Sequence, residues 1–137
     1  MGRNTNTGAV LESMVLPALT RGGYSYQKQV RIGLRPGGRA HKVDVLAERG
    51  GEKFLISMKW QQTSGTAEQK VPFEIICLAE AIREAPDYKR GYVVLGGTGW
   101  TLRDYYVEKI QRHLVGTEAV KVLSLEAFAA LANEGKL

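Results

Sequence analysis

The sequence predicts an α/β domain in which helices cover both faces of a mixed sheet. Segments that alternate between apolar and polar residues, or that are wholly apolar, are typical of strands. Segments with apolar residues three and four positions apart are typical of amphipathic helices. The two kinds of segment follow one another in the order α-β-β-β-α-β-α-β-α. This mixture indicates the α/β class.

The first half of the chain contains one helix and three strands. A helix is predicted over residues 7–20, and the two glycines that follow Arg21 end it. Residues 24–33 alternate in period two and form the first strand. Residues 41–48 form the second strand, and a Gly-Gly hairpin turn leads into the third strand over residues 53–61.

The second half begins with a loop over residues 63–69 and then a helix. Pro72 is tolerated only in the first turn of a helix, so this helix begins near residue 70. The remaining elements are a wholly apolar strand over residues 92–95, a helix over residues 101–114, a strand over residues 120–124 and a closing helix over residues 125–135. Ser124 is the predicted N-cap of the closing helix.

Composition limits the class of protein. The 137 residues suit a single domain over residues 1–137. No apolar run approaches the ~18 residues of a membrane span, and the N-terminus has no apolar signal-peptide core. One cysteine, Cys77, excludes an internal disulfide and a cysteine-based zinc cluster. We therefore expect a reducing, cytoplasmic setting (a host cell's cytoplasm if a phage encodes the chain), with Cys77 in the core.

Positive charge is concentrated in one part of the chain. The formal net charge is +5, but residues 21–59 contain nine Lys or Arg and three Asp or Glu, which leaves −1 elsewhere. Such a basic zone indicates a polyanionic partner, with nucleic acid first, and a solvated basic face is the alternative. The candidate nucleic-acid-binding residues are Lys28, Arg31, Arg35, Arg39, His41, Lys42 and, in a later loop, Lys70. For His41 we expect a surface position.

An acid and a lysine occur on neighbouring strands. Asp44 lies between two valines of the second strand, and Lys59 lies near the end of the third. If both leave the sheet on the same side and at the same end, they meet. A carboxylate binds a hard cation such as Mg²⁺, and the cation polarises a phosphodiester. The lysine can orient or deprotonate an attacking water. A simple ion pair is the alternative.

The segment HKVDVLAERGGEKFLISMKWQ resembles the core hairpin of the PD-(D/E)XK nuclease superfamily, with an Asp, a hairpin and then (D/E)-X-K. The acid in the leading GAVLE and the α-β-β-β-α-β order are also similar to that superfamily, especially to small archaeal-type Holliday-junction resolvases. The resemblance extends to about residue 95. It implies a restriction-endonuclease-like αβββαβ core and a metal-dependent nuclease. Asp44 would be a metal ligand and Lys59 the catalytic lysine, with Mg²⁺, or alternatively Mn²⁺, as the metal.

The sequence departs from the motif at one position, because Ser57 stands where the superfamily has Asp or Glu. Some restriction enzymes of the superfamily have Ser-X-Lys and place the glutamate on the following helix. Glu74, fifteen residues after Lys59, fits that variant, and Glu68 in the preceding loop competes with it. Two further residues are candidates by the same resemblance. Glu12 could add a carboxylate, and Gln61 could position water or phosphate.

The resemblance implies an endonuclease that acts on duplex or branched DNA. A junction resolvase is the first interpretation, and a site-specific homing or restriction-type endonuclease is the alternative. A DNA-binding module that lost its activity with the acid at position 57 is a second class of function. Cutting two strands needs two sites, so we expect a homodimer or higher homo-oligomer, with no membrane partner.

Two tryptophans are assigned mainly structural roles. Trp60 is predicted to pack in the core, because it points away from Lys59 along the strand, and stacking on a base is the alternative. The segment GGTGW lacks the Lys-Ser/Thr of a Walker loop. We interpret it as a tight strand-to-helix turn in which Trp100 is an anchor or a DNA contact.

Overall fold

Five strands form one sheet in the computed structural model of the chain, which describes residues 8–137. The strands are β1 (Ser25–Leu34), β2 (Ala40–Arg49), β3 (Glu52–Trp60), β4 (Tyr88–Gly96) and β5 (Val120–Ser124), in that spatial order. Strands β1 to β3 pair antiparallel, and β3 to β5 pair parallel. The predicted mixed sheet is confirmed, and β3 is its central strand.

Helices cover both faces of this sheet. They are α1 (Leu16–Arg21), which continues a π-helical segment (Leu11–Val15), α2 (Val71–Glu84), α3 (Arg103–Glu108) and α4 (Leu125–Asn133). Helices α1 and α4 pack on one face, where Phe54 and Ile56 of β3 are buried. Helices α2 and α3 pack on the other face, over Leu55 of β3. The described residues include no helix of the length and apolarity needed to cross a bilayer.

Several predicted boundaries change for identifiable reasons. Strand β4 begins at Tyr88, earlier than predicted, because parallel pairing with β3 includes its polar first residues. The predicted helix over residues 101–114 is wrong as a single helix, since 3-10 turns (Ile110–His113) follow α3. The Gln111 side chain fixes these turns by donating to the carbonyls of Thr117 and Val120.

Other local predictions are confirmed or refined. The Ser124 hydroxyl oxygen accepts the Ala127 amide at 3.1 Å, so Ser124 caps α4 as predicted. The predicted loop over residues 63–69 ends in 3-10 turns (Thr66–Lys70) that lead into α2. The first residue of the predicted leading helix, residue 7, lies outside the described residues. Cys77 is buried in the core, as predicted.

The alternation of side chains is interrupted where Asp44 lies. Val45 packs with α1 and α4, whereas Val43, two residues earlier, packs with α2 and α3. Gln29, across from Asp44 on β1, has φ = 54°, a left-handed conformation uncommon for a residue other than glycine. The register of β2 with β3 also begins only at Val45. The alternation of side chains along β2 is therefore shifted at Asp44, so that residues before and after it face opposite sides of the sheet. Asp44 itself lies outside the regular pairing of β2 with β3.

Candidate active site

Asp44 is fixed against the backbone of the central strand. Its Oδ2 accepts a hydrogen bond from the Met58 amide at 2.6 Å, and its Oδ1 lies 3.5 Å from the Gln29 Nε2 donor. The carboxylate thus continues the contact between β2 and β3 after the backbone ladder ends at Val45. It therefore lies next to the segment that carries Lys59.

Burial raises the pKa of Asp44 above its ordinary value. The Met58 amide and the positive charge of Lys59 oppose this effect without cancelling it, and the negative charge of Glu74 adds to it. Within the described part of the chain, Asp44 forms no ion pair. A partly desolvated carboxylate of this kind gains from a cation placed beside it.

Glu74 is a buried carboxylate in the first turn of α2, and it is 2% exposed. The Arg35 Nη1 donates to Oε1 at 2.9 Å. The Lys59 Nζ lies 3.9 Å from the same oxygen. His41 contacts the other oxygen, with 3.4 Å between Nε2 and Oε2. Glu74 therefore contacts Lys59, the predicted catalytic lysine, directly. Arg35, which donates to the same carboxylate, lies in the turn between β1 and β2.

The pKa of Glu74 is lowered to about 2. Burial alone would raise it, but the hydrogen bond with His41 and the charges of Lys59 and Arg35 outweigh burial. The carboxylate is therefore ionised at neutral pH despite its burial. An ionised carboxylate beside Lys59, near the end of β3, has the charge and the position to take part in cation binding.

Glu68 has a different role. Its carboxylate accepts the amides of Thr101 and Leu102, at 2.8 and 2.6 Å, and the Thr101 hydroxyl at 2.8 Å. These bonds hold its pKa below the ordinary value although burial acts in the opposite direction. Tyr106 also donates to its backbone carbonyl at 2.7 Å. Glu68 therefore fastens the segment before α3, and none of these bonds joins it to Lys59.

Most of the predicted basic residues lie on the surface. Those with exposed side chains are Arg31, Arg39, Lys42 and Lys70, and Lys28 is exposed but paired with Glu12 at 2.6 Å. Arg35 is partly buried because it binds Glu74. The predicted surface position of His41 is wrong, since His41 is 1% exposed. It points to the same face as Val43, two residues later in the strand, and that spacing was a usable signal.

A family model of the PD-(D/E)XK nuclease superfamily domain matches residues 3–136. The chain belongs to this superfamily. The prediction made from Asp44, the hairpin and Lys59 is confirmed at the level of the family, and so is the restriction-endonuclease-like fold. Among curated proteins, no match was found.

Two solved structures are similar to this PD-(D/E)XK domain. One is the crystal structure of AF1548, a protein of unknown function, with a TM-score of 0.53 and 15% identity over 80% of this chain and 54% of that chain. The other is the small subunit of the heterodimeric restriction endonuclease R.BspD6I, with a TM-score of 0.41 and 20% identity over 86% of this chain and 63% of that chain. The chain spans less than two thirds of either protein.

PD-(D/E)XK nucleases generally use divalent metals, and the donors of this site suit such an ion. Asp44 and Glu74 supply hard carboxylate oxygens beside Lys59. Among residues 8–137, no group of three or more His, Cys, Asp or Glu side chains is arranged to hold a metal. A divalent ion that keeps several of its waters needs only one or two carboxylates, so Asp44 and Glu74 could hold such an ion.

Two further candidates of the superfamily pattern lie apart from this pair. Gln61 is buried, and its Nε2 donates to the Gly99 carbonyl at 2.8 Å, so its side chain holds the glycine-rich turn. The Gln61 Oε1 is buried without a partner in the described part of the chain. Glu12 is exposed and bound to Lys28, which lies opposite Val45 on the α1 face. The described contacts join neither residue to Glu74.

The charge of Glu74 should make stability depend on pH. Its pKa falls from 4.5 to about 2 on folding, so its contribution is fully present above 4.5 and is lost as pH falls toward 2. At 1.36 kcal/mol per unit this contribution is about 3 kcal/mol. The free energy of unfolding, measured with denaturant, should therefore fall more between about pH 5 and about pH 2 in the wild type than in Glu74→Gln. The exposed-site variant Glu80→Gln should behave like the wild type, and equal slopes in all three proteins would contradict the assignment.

Proposed function

We propose that the chain is a Mg²⁺-dependent endonuclease that hydrolyses phosphodiester bonds in DNA. The observation that carries the proposal is the meeting of Lys59 and Glu74, 3.9 Å apart, beside the partly buried carboxylate of Asp44. A lysine and two carboxylates at one strand end are the groups that metal-assisted phosphodiester hydrolysis needs. Membership of a nuclease superfamily supports the same reaction.

Each residue has a distinct role in this proposal. Asp44 and Glu74 would hold the cation, and a bound Mg²⁺ neutralises phosphate charge and lowers the pKa of a coordinated water. Lys59 orients the attacking water and stabilises the negative charge that develops on the phosphate oxygens. Arg35 and His41 keep the Glu74 carboxylate ionised and in place. They are positioning residues, since their contacts are to Glu74.

The DNA would lie against the outer part of the β1–β2 hairpin and the start of α2. Arg31, Arg39 and Lys42 expose their side chains on the hairpin, and Lys70 precedes α2. Such contacts to phosphates give affinity and orientation without reading the sequence. A branched DNA or a duplex would both suit this surface. Two protomers, each with one site, would cut both strands.

Two substrate classes remain within the proposal. The leading helix favours a junction resolvase. The position of the second carboxylate on α2, with Ser57 in the motif, is the arrangement that we associated with restriction-type enzymes. The two classes prefer different substrates, because a resolvase acts on a four-way junction and a site-specific enzyme cuts a duplex at discrete positions.

A cleavage panel tests the proposal. Supercoiled plasmid, linear duplex, single strand, flap and four-way junction are incubated with Mg²⁺, Mn²⁺, Ca²⁺ or EDTA, and the products are resolved on gels. We expect cutting with Mg²⁺ or Mn²⁺ and none with EDTA. Junction cleavage would select the resolvase, and discrete duplex fragments would select the site-specific enzyme. Tight DNA binding in Ca²⁺, together with no cleavage of any substrate in Mg²⁺ or Mn²⁺, would contradict the proposal and favour an inactive DNA-binding module.

A further inference from the structure

A cleft of about 640 Å³ opens at the carboxyl ends of the three parallel strands. Its lining includes Trp60 and Trp100, with Gln62, Arg103, Asp104 and Glu126 among its polar groups. Trp60 follows Lys59 directly and packs with the core on the opposite face of the sheet. The cleft is therefore a neighbour of the proposed active site and is separate from it. Its volume lies in the range of small-molecule sites.

The two aromatic walls are held by the backbone of β4. A Cβ atom at Gly96 would lie 2.8 Å from the Trp60 ring, so this ring packs directly against the glycine. The Trp100 indole N–H donates to the Gly96 carbonyl at 2.7 Å. The Gly99 amide, in the same turn, donates to the Gln61 carbonyl at 2.8 Å. Both indoles therefore have fixed positions, which suits stacking of a flat ring.

The charges of the cleft differ from those of the hairpin surface. Arg103 lies 3.6 Å from Asp104, and Glu126 adds a second carboxylate, so the lining has one positive and two negative groups. A phosphate alone gains little in such surroundings. An uncharged ring with amino hydrogens gains more, because carboxylates and the Gln62 amide oxygen accept hydrogen bonds.

We propose that this cleft receives an unpaired nucleobase with an exocyclic amino group, turned out of the DNA strand bound at Lys59. That the base comes from DNA bound at Lys59 rests on the proposed nuclease function. Binding of a base in the cleft does not require cleavage. The base stacks on the indole rings that line the cleft, and its two amino hydrogens are donated to Glu126 and Gln62. Extrusion of a base places its ring in a protein pocket while the backbone stays bound outside, and Lys59 and the Trp60 wall of the cleft lie at the same end of β3.

A short single-stranded oligonucleotide with one central 2-aminopurine, in EDTA, tests the cleft directly. Stacking on indole quenches this base, so titration with the protein should give saturable quenching. Free deoxyadenosine should compete, and thymidine, which lacks an exocyclic amino group, should not. Gln62→Ala and Glu126→Ala should each weaken binding about tenfold, the effect of losing one good hydrogen bond. Gln69→Ala and Glu118→Ala are the matched controls, since their exposed side chains lie outside the cleft.

The outcomes separate this inference from the proposed function. Loss of quenching in the cleft variants, with normal quenching in the Gln69 and Glu118 controls, supports the cleft. Unchanged quenching in both cleft variants overturns it, and so does equal competition by thymidine. Quenching lost only in Lys59→Ala also overturns it, since the oligonucleotide then binds at the other face. Because EDTA prevents cleavage, the experiment remains readable in a protein that never cuts DNA.

Discussion

Replacing Lys59 with alanine should lower the rate of DNA cleavage about 10³-fold, within the range typical of lost general acid–base and electrostatic catalysis. The Lys59 ammonium is the cation that lies beside both carboxylates, since it is 3.9 Å from Glu74 and its charge acts on Asp44. Its loss removes the group that orients water and stabilises the transition state. Single-turnover cleavage of the preferred substrate in Mg²⁺ measures the effect.

Lys70→Ala is the matched control for this substitution. Lys70 is also a lysine near the site, but its exposed side chain precedes α2 and forms no ion pair with a described residue. Its removal should weaken DNA binding modestly and leave the single-turnover rate at saturating protein unchanged. Cleavage by Lys59→Ala at the wild-type rate, or an equal loss of that rate in both variants, would exclude a catalytic role for Lys59.

The second large effect should separate Glu74 from Glu68. Glu74→Gln should reduce cleavage about 10²-fold or more and weaken Mn²⁺ binding, because a neutral amide is a poor ligand for a hard cation. Glu68→Gln should retain both properties, since its carboxylate is committed to Thr101 and Leu102. Isothermal titration with Mn²⁺ in the absence of DNA measures binding independently of activity.

Glu68→Gln should instead lower the free energy of unfolding, because a neutral amide accepts the Thr101 and Leu102 amides less strongly than a carboxylate does. Thermal or denaturant unfolding detects that loss. The reverse pattern, with metal binding lost in Glu68→Gln and kept in Glu74→Gln, would move the site to the loop before α2. Equal metal binding in the wild type and both variants would show that neither glutamate is a ligand.

The sequence contains a signal for the burial of Glu74 in the apolar stripe of α2. One stripe of α2 is buried, at the i, i+3, i+4 and i+7 positions of an amphipathic helix, and it consists of Val71, Glu74, Ile75 and Leu78. A carboxylate in an apolar stripe is uncommon and informative. This pattern could have favoured Glu74 over Glu68 before the structure was known, whereas distance from Lys59 along the chain could not.

Other features of the site depend on contacts between distant segments. The strands, their order along the chain and the antiparallel pairing of β2 with β3 follow from local periodicity and a short hairpin. The partners of Glu74 do not, because Arg35 lies 39 residues and His41 33 residues away along the chain. The change of face at Gln29 is likewise invisible to a period-two pattern, which assumes unbroken alternation. Tertiary packing decides both the partners of Glu74 and the change of face at Gln29.

The interruption at Asp44 has a mechanical consequence for the hairpin. Beyond Val45, β2 pairs with β1 alone, so the hairpin tip projects from the sheet as a two-stranded ribbon. The ribbon carries exposed basic side chains on its outside and, through Arg35 and His41, two of the contacts that hold Glu74. Displacement of the ribbon would therefore change the 2.9 and 3.4 Å contacts through which Arg35 and His41 keep Glu74 ionised. Contact of the ribbon with the DNA backbone and the charge of the carboxylate beside Lys59 would then depend on each other.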